Sequence, residues 1–323
     1  MSRQPLHLGT TPWVSDLAAA AAAISGQAET AEALGYESFW LPESHFQAPG
    51  ACPSPLLLLA AAAARTSRIA LGTTSYLLPI KNALQAAEEV AVLDRISGGR
   101  VILGLGRGFR PSLFAAFNVP QREKRDRFEA TLAIMRRAWA GEPILGNGAD
   151  LGGGEPFRLE PRPVQEPHPP LWVAAFGAKG VAQAGRLGLP YLASPVEPLS
   201  RLLANYRLHR EALAEVGIRT ELPVPVMRTV FVSSEVSALR RARAGLERQA
   251  AELRASTSAV LRGRAEGDLD DWALVGEPAH VLEAVERYRE ELGVTHLVVR
   301  GGIAGVDAAE RLRSLETLAS ILR

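Results

Sequence analysis

The chain of 323 residues is 47% hydrophobic, and its 36 basic residues nearly balance its 35 acidic ones. This apolar fraction supports a folded core and excludes a disordered protein. Because Lys and Arg form no clustered block, the composition disfavours binding of nucleic acid or of an anionic membrane surface. The length by itself allows either two ordinary domains or one large α/β barrel.

The cysteine content and the amino-terminal pattern favour a cytoplasmic protein. The single cysteine, Cys52, excludes an internal disulfide and a cysteine-based metal cluster, so we predict no metal site. We find no secretory signal pattern, because MSRQPLHLGT runs directly into a strand-like segment. The alanine-rich run LAAAAAAIS, which begins at Leu17, is too short to cross a bilayer and predicts a helix.

Strand-like runs alternate with helical patterns along the whole chain. The eight predicted strands are LHLGT (6–10), YESFWL (36–41), RIALGTTS (68–75), RVILGLG (100–106), PLWVAAF (170–176), PYLAS (190–194), VPVMRTVFV (224–232) and THLVVR (295–300). Helical patterns between them include 17–34, 56–65, 83–96, 128–139 and 278–292. This alternation predicts βαβ units with a parallel sheet, and eight strands are the count of a TIM (β/α)8 barrel.

We predict a single domain over 1–323, because no composition shift or linker divides the chain. Two irregular stretches interrupt the alternation: 141–169, which is rich in Gly and Pro, and 256–273, which is polar. We interpret both as insertions at the carboxyl-terminal face of the strands, and the second as a mobile lid.

The stretch LGLGRGF (103–109) ends the fourth predicted strand with three glycines around Arg107. A Rossmann fingerprint needs a third glycine where Phe109 stands and a helix that starts on the motif, which this segment lacks. In a barrel, Gly106 and Arg107 would instead lie at the carboxyl end of a strand, where barrel active sites are built. Arg107 is there either a phosphate ligand or a surface residue in a glycine turn.

Four segments resemble the bacterial luciferase-like monooxygenases. They are AEALGYESFWLPESHF (31–46), IALGTTSYLLP (69–79), LDRISGGRVILGLGRGF (93–109) and VGEPAHVLEAVERYREELGVTHLVVR (275–300). The resemblance follows the family in order over most of the chain. It implies a TIM barrel that binds reduced flavin mononucleotide (FMNH2) or, in one branch, the deazaflavin F420, at the carboxyl ends of the strands.

The resemblance also implies which residues bind the cofactor. Arg107, beside Gly106, matches a phosphate-contacting position, and the peptide bond Thr74–Ser75 matches a cis non-proline bond behind the flavin ring. A second phosphate contact falls in the loop after the fifth predicted strand, which opens a helix whose free N–H groups suit an anion. Within it, Lys179 is either an added positive charge or an ordinary solvated lysine. The loop comprises Phe176, Gly177, Ala178, Lys179 and Gly180.

The second predicted strand ends in the tetrapeptide ESHF (43–46). In the luciferases two adjacent histidines match Ser44 and His45, and the first is the one most implicated in catalysis. Ser44 in that place departs from luciferase-type general-base chemistry. Because a histidine side chain can act as a general acid or base, His45 is either catalytic or a hydrogen-bonded wall residue. We include both positions among the catalytic predictions.

Two arginines fall in or at the end of predicted strands. Arg228 interrupts the apolar seventh strand and resembles an arginine of alkanesulfonate-oxidising family members, which makes it a third catalytic prediction. Arg300 ends the eighth strand. Since a buried charge must be paired or face a ligand, each is either a structural pair or part of the pocket.

Seven aromatic side chains fall at strand ends or in loops, where they either wall a dry pocket or belong to the core. They are Trp13, Trp40, Phe46, Tyr76, Phe109, Trp172 and Trp272. We predict that the substrate pocket is lined by Trp13, Phe46, Tyr76, Phe109 and Arg300.

The resemblance implies a monooxygenase that uses FMNH2 and O2 on a small organic substrate, with the reduced flavin supplied by a separate reductase. Alternatives are F420-dependent hydride transfer and a catalytically silent flavin-binding subunit, which Ser44 keeps open. The helix PLLLLAAAAA (55–64) is apolar all round, although an outer helix should present a polar stripe to water. Family members pair through this helix and the next, and we therefore predict a homodimer.

Overall fold

The computed structural model describes residues 5–13, 21–46, 51–144, 156–255 and 267–323. The strands are β1 (His7–Thr10), β2 (Ser38–Leu41), β3 (Ala70–Thr73), β4 (Tyr76–Leu77), β5 (Val101–Gly106), β6 (Leu171–Ala174), β7 (Tyr191–Leu192), β8 (Pro225–Val232), β9 (Ala273–Gly276) and β10 (His296–Arg300). The described helices are α1 (Ala21–Ala33), α2 (Pro55–Ala63), α3 (Ala83–Ser97), α4 (Pro111–Ala116), α5 (Lys124–Trp139), α6 (Ala178–Arg186), α7 (Leu199–Glu215), α8 (Val236–Ala255), α9 (Pro278–Leu292) and α10 (Ala308–Ile321).

The strands form one parallel sheet in the order β7-β6-β5-β3-β2-β1-β10-β8-β9, with β4 paired to β5. All eight predicted strands are present, which confirms an α/β fold with a parallel sheet. Sequence analysis missed β4, which has two residues, and β9, whose four residues follow directly on a polar stretch.

The sheet curves into a half-barrel. Ala193, directly after β7, forms a parallel bridge with Val226 of β8, although β7 stands at one end of the strand order and β8 near the other. The backbone N–H of Ala193 donates to the carbonyl of Pro225 at 3.2 Å. The curvature therefore brings the carboxyl ends of distant strands toward a common mouth.

Large aromatic rings fill the concave side of the sheet. Trp40 of β2 stacks on Trp172 of β6, with their ring centroids 4.9 Å apart. Gly72 in the neighbouring β3 makes room for this pair, because a Cβ at that position would overlap the Trp40 ring. Both tryptophans are buried in one apolar cluster, so they belong to the core of the sheet.

The first predicted insertion lies at the amino-terminal end of the sheet in its described part. The backbone N–H groups of Val164 and Gln165 donate to the Asp94 carboxylate at 2.8 and 2.9 Å. The side-chain amide of Gln165 donates to the carbonyl of Val101, the first residue of β5. The prediction of a carboxyl-face insertion at 141–169 is therefore wrong for this segment. The chain here runs from the end of α5 to the start of β6. In a parallel sheet built of βα units, each connection from a helix to the next strand lies at the amino-terminal edge of the sheet.

The second predicted insertion, 256–273, is described only from residue 267 onward. There Trp272 is 1% exposed and packs with apolar residues of α8, among them Leu246. Asp268 and Asp271 cap each other's backbone N–H groups in a short 3-10 turn before it. The predicted lid therefore does not extend to Trp272, and its residues 256–266 lie outside the described chain.

A histidine pair at the amino-terminal ends of β1 and β10 makes stability depend on pH. The rings of His7 and His296 stack 4.7 Å apart, and burial, with His7 beside it, lowers the pKa of His296 to about 4. An unfolded histidine takes up its proton near pH 6.5, so between these pH values the unfolded chain binds more protons than the folded one. This contribution to stability is complete above about pH 6.5 and is lost as the pH falls toward 4.

We expect the urea midpoint to fall between pH 7.5 and pH 4.5, and His296→Gln to flatten that fall. His280→Gln, which changes an exposed histidine of α9, is the control and should keep the wild-type slope. Equal pH slopes for His296→Gln and the wild type would rule out this assignment.

Candidate active site

Two adjoining cavities open at the carboxyl ends of the strands. The rim cavity, of about 630 Å³, extends toward the starts of α5 and α6, and the central cavity, of about 520 Å³, reaches Leu192 and Met227 inside the sheet. Both are lined by Thr74, Ser75, Phe109, Arg110, Ala174 and Phe176. Because of this shared wall, the two cavities form one continuous cleft.

Most of the predicted site residues line this cleft. The rim cavity contains Ser44, His45, Phe46, Thr74, Ser75, Gly106, Arg107, Phe109, Phe176, Lys179 and Gly180. Arg300 lines the central cavity together with Thr74, Ser75, Phe109 and Phe176. The structure thus assembles residues from β2, β3, β5, β6 and β10 at one edge of the sheet.

Arg107 follows β5 directly and enters the rim cavity beside α6. A Cβ on Gly180 would overlap its guanidinium, so the glycine allows this close approach. Burial, and then the charge of Arg125, lower the pKa of Arg107, while Glu129 acts in the opposite direction. Arg107 makes no hydrogen bond or ion pair with the residues that the structure describes. It is a cation with its hydrogen-bonding groups available to a ligand.

Four further cations line the rim cavity: the exposed Arg110, Lys124 and Arg125 at the start of α5, and Lys179 in the first turn of α6. Burial, then Arg107 and Arg125, lower the pKa of Lys124, which shows that these positive charges oppose one another. An anion bound between them would relieve that repulsion. Sequence analysis missed Lys124 and Arg125, because the mixed-charge run REKRDR (122–127) is typical of a solvated helix start.

The amino terminus of α6 faces the same cavity. Gly177 has a φ of 71°, in the region that favours glycine, and turns the chain from β6 into the helix. The N–H groups of Ala178 and Lys179 belong to the first turn, whose donors an α-helix leaves unpaired. Of the predicted loop, Phe176, Lys179 and Gly180 line the cavity, whereas Gly177 and Ala178 do not.

A buried carboxylate anchors the opposite wall of the rim cavity. Glu43 accepts hydrogen bonds from the backbone N–H of Leu77 at 2.8 Å and from Lys81 Nζ at 2.7 Å. It also hydrogen-bonds His45 Nε2 at 2.8 Å. Sequence analysis quoted Glu43 without giving it a role, because its partners lie on a different strand connection.

The two catalytic predictions at the end of β2 have different environments. His45 lies in the cavity wall with its ring edge-to-face on Phe117, and its bond to Glu43 leaves Nδ1 as the second ring nitrogen. The hydroxyl of Ser44 instead accepts the backbone N–H of Cys52 at 3.0 Å. Ser44 therefore holds the backbone at Cys52, while the Nε2 of His45 is held by Glu43.

Glu43→Gln should lower the free energy of unfolding by about 2 kcal/mol, because a neutral amide cannot satisfy Lys81, His45 and the Leu77 N–H together. Glu37→Gln is the matched control, since its His7 partner is half-exposed and should contribute less than about 1 kcal/mol. Urea denaturation measures both. Similar losses for the two variants would contradict the anchoring role of Glu43.

The connection between β3 and β4 carries the cis peptide bond Thr74–Ser75, as the family resemblance implies. The Thr74 N–H donates to the carbonyl of Leu41 at the end of β2. Gly106 lies beneath this bond, because a Cβ there would overlap the Ser75 hydroxyl. The three residues form a close-packed wall shared by the rim and central cavities.

The central cavity combines aromatic rings with a half-buried arginine. Phe109 and Phe176 meet edge-to-face with centroids 6.4 Å apart. Arg300 donates from Nη1 to Gln249 Oε1 of α8 at 3.1 Å. Burial lowers the pKa of Arg300.

The family model for luciferase-like monooxygenases matches residues 2–296. The chain belongs to the luciferase-like monooxygenase family. Among curated relatives, 4-hydroxyprotoasukamycin monooxygenase of Streptomyces nodosus subsp. asukaensis is 33% identical over 196 residues, or 59% of this chain and 53% of that protein. The chain aligns with about half the length of the curated relatives it matches, between 43% and 53% for three of them.

Solved structures of similar fold cover nearly the whole luciferase-like chain. Monooxygenase RslO1 of Streptomyces bottropensis has a TM-score of 0.79 at 28% identity over 98% of both chains. The FMN complex of the oxygenating constituent of 3,6-diketocamphane monooxygenase from Pseudomonas putida has a TM-score of 0.81 at 22% identity, covering 98% and 97%. The F420-dependent tetrahydromethanopterin reductase of Methanopyrus kandleri has a TM-score of 0.74 at 19% identity over 98% of both chains. The last two likenesses show the fold alone.

Arg228 lies outside the cleft. Its guanidinium donates to the Tyr288 hydroxyl at 2.8 Å and to the carbonyls of Ser194 and Glu197, each at 2.7 Å. Neighbouring residues of a strand face opposite sides, so Met227 lines the cavity and Arg228 points outward. The structure thus contradicts a catalytic role for Arg228 and supports the alternative of a structural arginine.

Two aromatic predictions for the substrate pocket are also corrected. Tyr76 is buried on the far side of β4, where its hydroxyl donates to Glu89 and Lys81 Nζ lies 4.5 Å from its ring centroid. Trp13 is buried in the main core, and its backbone N–H donates to Gln27. Phe46 in contrast lines the rim cavity with a largely exposed ring.

Metal sites and membrane-spanning helices are both absent from the described ranges. Among these residues we find no group of three or more His, Cys, Asp or Glu side chains suited to a metal ion. Within the same ranges, the helices lack the combination of length and hydropathy that a membrane span requires.

Proposed function

We propose that this luciferase-like monooxygenase oxygenates a small organic substrate with FMNH2 and O2, and that a separate reductase supplies the reduced flavin. One observation carries the proposal: Arg107, Lys124, Arg125 and Lys179 line the same cavity, and the Arg107 guanidinium lies against Gly180 in the first turn of α6. Such an arrangement is suited to the phosphate of a flavin mononucleotide. Bound FMNH2 would supply the electrons that activate O2.

The residues beside the phosphate site fit the remainder of the cofactor. Arg107 and the first-turn N–H groups of α6 would hold the phosphate, and the wall of Thr74, Ser75 and Gly106 would support the ring. Phe109 and Phe176 would exclude water from the reacting face, which such chemistry requires. The FMN complex of the diketocamphane enzyme, with its similar fold, is consistent with this assignment.

We assign His45 as the group that exchanges a proton in this cleft and Glu43 as its positioning residue. The Glu43–Nε2 hydrogen bond orients the ring and leaves Nδ1 for a water or substrate. Ser44 remains a structural residue in this scheme.

The closed form of the barrel is also part of the proposal. The Ala193–Val226 bridge lies where the sixth and seventh strands of an eight-stranded barrel adjoin. We therefore propose a closed TIM barrel in which β4 and β9 are additions to eight main strands.

We propose a homodimer that pairs through α2 and α3, which pack side by side. Their outer faces expose Leu57, Val92 and Ile96, and Leu57 is 73% exposed. Burial of such side chains between two copies is favourable. Sedimentation at micromolar concentration should give the dimer mass, and a monomer would refute the pairing.

A cofactor titration followed by isotope labelling tests the activity. FMN and F420 are each titrated against intrinsic tryptophan fluorescence, and FMN should bind the more tightly. The FMN-loaded protein is then chemically reduced and exposed to 18O2 with a panel of ketones, aldehydes and aromatic acids. A product that gains one labelled oxygen supports the proposal.

Two other outcomes would replace the oxygenase proposal with a different function. Preferred binding of F420 with hydride transfer in the absence of O2 would favour the F420 branch, whose fold this chain shares. Substrate-independent O2 consumption that yields only hydrogen peroxide would indicate a flavin-binding subunit without oxygenase activity.

A further inference from the structure

The central cavity contains a guanidinium with no acidic partner in the described chain. Arg300 projects from the end of β10 and donates to the neutral side-chain amide of Gln249. Among the described residues that line this cavity there is no Asp or Glu. The charge of Arg300 is therefore not neutralised by the wall around it.

A fully buried arginine adds positive charge behind this wall. Arg311 of α10 donates from Nη1 and Nη2 to the carbonyls of Val230 and Arg300. Burial lowers the pKa of Arg311 to about 9; Tyr36 opposes this shift, and the charge of Arg300 contributes to it. Two cations near each other favour binding of an anion at the one that faces the cavity.

Apart from the exposed Arg110, the remainder of the central cavity is mainly apolar. Leu192, Val196, Met227 and Leu253 line it beside the two phenylalanine rings. Ser194 also lines it, and its hydroxyl is buried with no hydrogen-bond partner in the described structure. A ligand that satisfies these surroundings needs one anionic end with oxygen acceptors and one hydrophobic body.

We propose that Arg300 and Gln249 bind the carboxylate of the substrate, which is an amphipathic organic acid whose apolar part fills the central cavity. This rests on the proposed function and names the substrate class of the same site. The carboxylate would accept the free N–H groups of Arg300 in a two-point contact, while Gln249 holds the guanidinium in place. Specificity follows because an uncharged analogue would leave the half-buried Arg300 guanidinium without an anionic acceptor.

The carbonyl edge of the flavin ring is another source of oxygen acceptors in this cleft. The two sources differ in one measurable respect. If the substrate supplies the acceptor, loss of Arg300 weakens binding of the acid and leaves FMN affinity unchanged. If the flavin supplies it, loss of Arg300 weakens FMN binding.

The test uses the full chain loaded with oxidised FMN and the probe 4-phenylbutanoate, with its methyl ester as the uncharged analogue. Calorimetry should give at least tenfold tighter binding for the acid than for the ester. Arg300→Met should remove that preference, lowering acid affinity at least tenfold while ester and FMN affinities stay within twofold. Arg248→Met, which removes an exposed arginine one residue from Gln249, is the control and should bind like the wild type.

Two further variants keep the test decisive if Arg300→Met does not fold. Arg300→Lys keeps the charge without the two-point contact, and Gln249→Leu removes the holding amide; each should reduce the preference for the acid at least threefold. Equal binding of acid and ester by the wild type would overturn the proposal, as would an FMN loss in Arg300→Met that matches the loss for the acid. Acid preference without any oxygen transfer would instead contradict the oxygenase assignment and leave this inference standing.

Discussion

Arg107→Ala should weaken FMN binding by about 100-fold and change riboflavin binding by less than about threefold. Hydrogen bonds to charged groups contribute about 1.5–3 kcal/mol, and each 1.4 kcal/mol changes affinity tenfold. Arg107 has its donors available in the rim cavity, so a phosphate would accept more than one of them. Riboflavin lacks the phosphate and would lose only minor contacts. Titration of both flavins by fluorescence quenching measures the difference.

Arg110→Ala is the matched control for this experiment. Arg110 also lines the rim cavity, but it is exposed, and its guanidinium lies over the ring of Phe109 at 5.7 Å. We expect its loss to change FMN affinity by less than about fivefold. Equal losses of FMN and riboflavin affinity in Arg107→Ala would remove Arg107 from the phosphate role.

Arg228→Met should lower the free energy of unfolding by about 4 kcal/mol, an unusually large effect for one substitution. The change leaves the carbonyls of Ser194 and Glu197 and the Tyr288 hydroxyl without their buried donor. Each buried group that loses its partner costs about 1–3 kcal/mol. Urea denaturation followed by tryptophan fluorescence measures the loss.

Arg287→Met is the control, because it tests whether removal of an exposed arginine lowers the free energy of unfolding as much as Arg228→Met does. Arg287 is exposed on α9 and pairs with Glu291 one turn away, so its removal should cost less than about 0.5 kcal/mol. A loss below about 1 kcal/mol in Arg228→Met would contradict the structural role of that guanidinium. Retained stability with lost oxygenation would restore the catalytic interpretation.

The segment 93–109 begins with residues that stabilise the fold and ends with residues that line the cleft. Sequence analysis identified a role only for the residues at the cleft. Arg107 was predicted from its place at a strand end, and the structure brings it into the rim cavity. Asp94 and Arg100 were not predicted, although Asp94 binds the backbone of Val164 and Arg100 donates to the carbonyl of Ile69. These partners come from distant parts of the chain, so no local pattern indicates them.

The two strand arginines show how register separates residues of the same type. Met227 of β8 pairs with Val298 of β10, and both side chains face the inside of the sheet. Arg300, two residues after Val298, shares that face, whereas Arg228 pairs with Val299 and points outward. The sequence predicted that each arginine would either be paired within the protein or face a ligand. The pairing between β8 and β10 determines which alternative applies to Arg228 and which to Arg300.

The sequence by itself determined the succession of strands and helices, the parallel sheet and the strand ends at which Arg107 and His45 stand. Those features follow from hydrophobic patterning and strand propensity, which act over a few neighbouring residues. Only the tertiary structure decided that Lys124 joins Arg107 and that Glu43 anchors His45. These contacts depend on where α5 packs against the sheet and on the path of the loop between β3 and β4. Packing between residues far apart in the chain determines both.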